Sequence, residues 1–343
     1  MTEAQWNKLR DVIDGKAFNP IPTGFIVDSP WLPNWYGVNI LDYFTNDEIW
    51  LNANLHVADT FPGVMFLPGF WSEFGMCTEP SAFGSKCALP KNEFPNTHRV
   101  IHSMEEIPKM KKPDPKTDGF APFMLNRLLL NRQKIEDSGH RICFSVSRGP
   151  LNIASFLMGM TEFMTAMITN PEEVHQLLDL INEYLLEWHE LQAASIPTID
   201  GIFVLDDIIG FIGEEEFREF GLPYFKKLFS REASVKFLHN DATCKSSIKY
   251  MNEMGVNLFN MGFESDLNEL KTLTMDRVTM MGNIPPRDVL ANGTGEEIEK
   301  AVKALIGGLK QKSRVIMSCG GGMPPDVTSE QIRAFTDAVA KYS

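Results

Sequence analysis

No apolar run in this 343-residue chain approaches the roughly 18 residues that a membrane-spanning helix requires. Basic residues are also scarce. Thirty-two Lys and Arg against 45 Asp and Glu leave a formal net charge of −13, which argues against nucleic acid and anionic membrane as partners. The five cysteines are Cys77, Cys87, Cys143, Cys244 and Cys319. Their number is odd and no C-x-x-C pair occurs, so a disulfide framework is not expected. Neither G-x-G-x-x-G nor G-x-x-x-x-G-K-[ST] is present, which removes the common nucleotide fingerprints. The first residues, MTEAQWNKLRDVIDGK, carry acids and no apolar core segment. They do not read as a secretory signal, and a cytoplasmic protein is expected.

What remains is 43% apolar, ample for a sizeable core. The pattern alternates between strand-like and helix-like stretches. Short apolar runs predict strands at 25–27, 63–68, 141–147, 200–206, 235–239, 256–262, 278–283 and 314–318. Residues 1–18 predict an amphipathic helix with Trp6, Leu9, Val12 and Ile13 on one face. Helical spacing returns over 39–59, 123–137, after Gly149-Pro150, and from Asn170-Pro171, where Asn170 suits a cap and Pro171 a first helical turn. Eight strands alternating with helices favour a (β/α)8 TIM barrel, with a doubly wound sheet as the alternative. One domain, 1–343, is expected, with an N-terminal helical extension. A long loop rich in Pro, Gly, Lys and Glu at 71–122 has the length of a functional lid or binding insertion.

Two strand-like runs end in charge. GIFVLDDIIG delivers Asp206 and Asp207 to a strand tip, and SVKFLHND delivers His239 and Asp241. Reactive groups of α/β barrels sit at these carboxyl ends. Adjacent Asp206 and Asp207 point in opposite directions if the strand continues, and Asp207 is favoured for the pocket. Asp206 would then bond backbone or Arg148. Asp241 suits either ligation or capping of the helix that follows. Cys319 ends the last strand, either as a ligand or as a buried free thiol. The glycines behind it, Gly320–Gly322, allow close backbone approach to a ligand or positive φ. Aromatics flanking the first strand ends, among them Phe25, Trp31, Trp35, Phe66, Phe70 and Trp71, are candidate pocket members.

An ordered set of landmarks adds to this reading: FIVDSPWLPNWYG, SRGPLNIASFLMG, GIFVLDDIIG with FREFGLPYFKKL, GNIPP, and SCGGGMPPDVTSEQI. With them the chain resembles the uroporphyrinogen decarboxylase superfamily over nearly its whole length. The resemblance implies a barrel with its site at the carboxyl ends of the strands. Decarboxylases of that superfamily hold substrate carboxylates with paired arginines in the N-terminal loop, where this chain has Asp28, Ser29 and Pro30. Their catalytic aspartate follows the next strand, where LPGF (67–70) stands, and their late histidine falls at Gly321. The thiol-methylating branch binds zinc through a His-x-Cys pair and a later Cys. His239 matches the first position, Asp241 replaces the first cysteine, and the later one falls at Gly321, two residues after Cys319.

The resemblance is better to the enzymes that take methyl from a methoxylated compound and pass it to a corrinoid protein. It implies a corrinoid-dependent methyltransferase (an O-demethylase component), with a cobalamin-carrying partner protein as methyl acceptor, because the lower-ligand signature D-x-H-x-x-G is absent from this chain. The expected catalytic residues are His239, Asp207 and Asp206. The expected metal ligands, for a zinc ion, are His239, Asp241 and Cys319. Substrate is expected at Trp31, Trp35, Phe70, Arg148 and Gly321, with a methoxylated aromatic as donor. A zinc-dependent methylcobalamin:thiol methyltransferase is the alternative, and uroporphyrinogen decarboxylation a further one.

Overall fold

In a computed structural model, residues 1–27 and 30–343 are described. The sequence position of Asp28 and Ser29, where arginines are missing, lies outside the described residues. Eight parallel strands form one curled sheet: β1 (Thr23–Ile26), β2 (Val64–Leu67), β3 (Phe144–Arg148), β4 (Gly201–Leu205), β5 (Val235–Asn240), β6 (Leu258–Met261), β7 (Thr279–Ile284) and β8 (Val315–Cys319). Their order is β2-β1-β8-β7-β6-β5-β4-β3, with the first strand paired to the last at Thr23↔Met317. That pairing rolls the sheet into a (β/α)8 barrel. Every predicted strand is present, with its ends displaced by up to three residues. Strands covered on both faces read as continuous apolar runs, which is why periodicity finds them.

The ladder ends at β2 and β3, and other groups bridge that seam. The Met1 and Arg141 backbones exchange two hydrogen bonds, 3.2 and 2.8 Å. Gln5 donates to the carbonyls of Pro62 and Val64 at the foot of β2. Gln5 belongs to the helix Glu3–Ile13, shorter than predicted, whose buried residues are Trp6, Leu9, Val12 and Ile13 as expected. Inside the barrel, Trp6 meets Phe144 edge-on, and Phe203 stacks on Phe237 at 4.5 Å.

The helix Pro171–Ser195 lays Val174, Leu177, Leu178, Ile181 and Leu185 against the sheet. Pro171 opens it as predicted, but Asn170 does not cap it. Its side-chain oxygen instead accepts from Thr169 at 2.9 Å. After β4, the chain forms a π-helical turn, Phe217–Gly221, between two α-helical pieces. The long segment 71–122 holds a two-residue hairpin, Cys87–Ala88 with Asn96–Thr97, and a 3-10 helix, Met104–Lys109. Among the described residues, no single helix is long and apolar enough to cross a membrane.

Candidate metal centre

Strand register decides which side chains share the barrel mouth. Leu205 pairs with His239, His239 with Asn260, and Asn260 with Met281. Side chains two apart on a strand point the same way. His239 therefore follows Phe237 to the barrel interior, and Asp241 continues the series just beyond β5. Asp207 follows Phe203 and Leu205, while Asp206 takes the opposite direction.

The result is a cluster of Asp207, His239 and Asp241 whose ligand atoms all lie within 4.8 Å of one another. His239 Nε2 is 3.3 Å from Asp241 Oδ1. Asp207 Oδ1 accepts the backbone N–H of Asp241 at 2.7 Å, which locks the two strand ends together. On the far side of the ring, His239 Nδ1 meets Asn260 Oδ1 at 2.7 Å. The Asn260 amide donates its NH2 to the Met281 carbonyl, so its oxygen is the face turned to the imidazole. That arrangement places the proton on Nδ1 and turns Nε2 into the open mouth, the way ligating histidines are commonly oriented. Asn260 is a neighbour of the cluster that sequence reasoning missed. Its only signal is a polar residue inside the apolar run VNLFNM.

Charge inside the cluster is unbalanced. Burial works against protonating His239, but the carboxylates of Asp241 and then Asp207 pull it up to about 9. Burial would also raise Asp241, and the imidazolium draws it below the usual carboxylate range instead. Burial raises Asp207, against the pull of His239. The Asp241 side chain is 56% exposed, so water screens part of its attraction. Two carboxylates and one imidazole nitrogen gathered at the ends of two adjacent strands suit zinc, whose catalytic sites take three protein ligands and keep a fourth position open.

Other expected site residues have different positions. Asp206 is fully buried and accepts from the backbone N–H groups of Leu151, Asn152 and Ile208 at 3.0–3.1 Å. It fastens the start of the helix Pro150–Met158, and burial pushes its carboxyl up to about 8. It does not join the cluster, which corrects the expectation of a catalytic Asp206. Asn152 completes that joint by accepting the N–H groups of Asp207 and Ile208. Cys319 also lies outside the cluster. Its thiol turns to the carbonyls of Gly321 and Gly322 at 3.6 and 3.8 Å, which corrects the expectation of a cysteine ligand.

Gly321 has a structural part in the centre. Its φ is +77°, and a Cβ there would lie 2.0 Å from Asp241 Oδ1. The next N–H, of Gly322, donates to the same oxygen at 2.9 Å. The alternative role for Asp241, capping a following helix, is not seen.

Arg148 ends β3 but its guanidinium is already engaged, 3.2 Å from Glu73 and 3.8 Å from Glu79. Trp31 is fully buried, donating to the Val327 carbonyl and stacked between Trp35 and Phe66. Trp35 bonds Ser329, and Phe70 packs on Trp50 and His140. None of these three has a described contact with Asp207, His239 or Asp241: Trp31 and Phe70 are buried in the core, and Trp35 is half-buried against it. Trp71 comes nearer, through Phe203, which itself lies 6.3 Å from His239.

The family model described as uroporphyrinogen decarboxylase matches residues 35–342. A protein named uroporphyrinogen decarboxylase from Pseudoalteromonas atlantica is 25% identical over 281 residues, 78% of this chain and 76% of its own length. One of the same name from Acinetobacter baumannii is also 25% identical over 281 residues, with the same coverage of each chain. Among solved structures, one described as a methyltransferase from Methanosarcina mazei superposes with a TM-score of 0.80. It is 19% identical and covers 98% of each chain. A B12-independent methionine synthase from a Shewanella species follows with a TM-score of 0.58, 11% identity, and coverage of 93% of this chain and 96% of its own. At these identities the structural likeness shows the fold alone.

Proposed function

This chain belongs to the uroporphyrinogen decarboxylase family, and from that premise we propose that it is a methyltransferase of the family. Its reaction would move a methyl group from a methoxylated, aromatic compound to the cobalt of a corrinoid protein. The observation that carries this reading is the Asp207–His239–Asp241 cluster at the barrel mouth, with Nε2 of His239 turned outward by Asn260.

Breaking a methyl ether sends the methyl to the acceptor and leaves the bonding electron pair on the departing oxygen. The site must stabilise that developing oxyanion. Zinc held by His239, Asp207 and Asp241 would supply a Lewis acid for it. The chain's own contribution is orientation. Asn260 fixes the imidazole, Gly321 and the Gly322 N–H fix Asp241, and Asn152 fixes the backbone that presents Asp207. With the cluster metal-free, protonated His239 stands ready as the acid for the same oxygen. The expected partner is a corrinoid protein docking over the mouth.

Decarboxylation is the second reading, favoured by the names of the sequence relatives. A polycarboxylate tetrapyrrole would meet the carboxylates of Asp207 and Asp241, with Arg148 already paired to Glu73 and Glu79. The experiment is anaerobic: the protein, reduced cobalamin and a panel of methoxylated aromatics are mixed and the cobalt spectrum is followed. Methylated cobalamin formed from one donor, and lost in His239→Ala, is the expected result. Carbon dioxide release from uroporphyrinogen would overturn the proposal.

A further inference from the structure

Cys77 and Cys87 are ten residues apart in sequence, yet the fold brings both to one small hairpin. In the hairpin, Cys87 pairs with Thr97 and Ala88 with Asn96. The segment before Cys77 is strapped to the same hairpin by the Met76 N–H, which donates to the Pro95 carbonyl at 3.2 Å. The Cys77 thiol then reaches the Asn96 carbonyl at 3.1 Å, one residue from the cross-strand partner of Cys87. The Cys87 thiol, on the same hairpin, turns to the Ser85 carbonyl at 3.6 Å.

Their exposures differ. Cys77 is fully buried and Cys87 only partly so. The neighbouring Cys87 and burial hold the Cys77 thiol far above the ordinary range, and the neighbouring Cys77 lowers the Cys87 thiol. A more acidic, reachable thiol backed by a buried second thiol is the arrangement of an attacking and a resolving cysteine. The other three cysteines have different neighbours: Cys143 faces the Arg141 carbonyl, Cys244 the Ser265 hydroxyl and Cys319 the Gly321 carbonyl.

We propose that Cys77 and Cys87 are a modification site, a dithiol that a hydroperoxide converts to a reversible intramolecular disulfide. The Cys87 thiolate attacks one peroxide oxygen, the O–O bond breaks, and hydroxide (or alkoxide) departs. This leaves a sulfenic acid on Cys87. The Cys77 sulfur then attacks the Cys87 sulfur, and its proton leaves with the hydroxyl as water. Two electrons pass from the two sulfurs to the peroxide. The tie closes the loop 77–87 within the segment whose Glu73, Thr78 and Glu79 hold Arg148 at the end of β3. Oxidation therefore fixes one wall of the barrel mouth.

The test uses the unmodified chain, treated with graded hydrogen peroxide, denatured, alkylated and digested with trypsin. Cleavage after Lys86 and Lys91 puts the two cysteines on separate peptides, 17–86 and 87–91. The expected product is that pair joined by a disulfide within one chain and released by dithiothreitol, with Cys143, Cys244 and Cys319 alkylated. In Cys77→Ser, Cys87 should stop at the sulfenic acid and be trapped by dimedone. Alkylation of both Cys77 and Cys87 as free thiols at every dose would overturn the proposal. So would direct passage of Cys87 to sulfinic acid in the unmodified chain, or linkage between chains. These readouts are independent of methyl transfer.

Discussion

Asp206 accepts three backbone N–H groups, whereas Asp207 accepts one and turns its charge to His239 and Asp241. Their variants should separate accordingly. Asp206→Ala should lose roughly 3 kcal/mol of stability by orphaning buried donors, read as a lower denaturation midpoint. Asp207→Asn should keep the midpoint and lose zinc and methyl transfer. Equal destabilisation by both would contradict these assignments.

His189 offers a pH test. It is fully buried between the hydroxyls of Ser145 and Ser147, at 2.8 and 2.9 Å, and burial, aided by Arg231, drops it from 6.5 to about 3. Below pH 6.5 the unfolded chain takes a proton here that the folded chain refuses, so stability falls as the pH falls. The contribution reaches about 1.4 kcal/mol per pH unit until the folded group itself titrates. Denaturant melts of His189→Gln should show a shallower loss between pH 6 and about 4 than the parent; an unchanged slope would contradict the neutral buried imidazole.

At the scale of elements, turns and strand ends do most of the positioning. Period-two alternation makes the separation of Asp206 from Asp207 legible in sequence, because only one of two neighbours can face the mouth. The same rule, applied across strands, places Asn260 beside His239, but that needs the register, which single-strand patterns do not contain. The glycines after β8 are legible as a place of close approach. What approaches Gly321 is Asp241, a residue 80 positions away. Gly321→Ala should therefore cost about 1–2 kcal/mol for its positive φ and also displace Asp241. A thermal shift with no loss of zinc affinity would contradict the second effect.

For the whole molecule, the barrel is legible because its strands are buried on both faces and read as unbroken apolar runs. Two features are not. The seam between β2 and β3 is closed by Met1, Arg141 and Gln5, contacts that span most of the distance between the N-terminus and β3 and leave no local pattern. The part played by the aromatic residues near the first strand ends is not legible either, since composition cannot tell a pocket wall from a core. Trp31 and Phe70 are spent on packing. What serves the site comes instead from the consecutive strands β4, β5 and β6, and from the turn after β8.

Zinc bound per chain, by equilibrium dialysis of the purified protein and four variants, tests that centre most directly. The account predicts one zinc in the parent and in Cys319→Ser and Asp206→Asn, and its loss in His239→Ala and Asp241→Asn. Retention of zinc without His239, or its loss with Cys319, would contradict it.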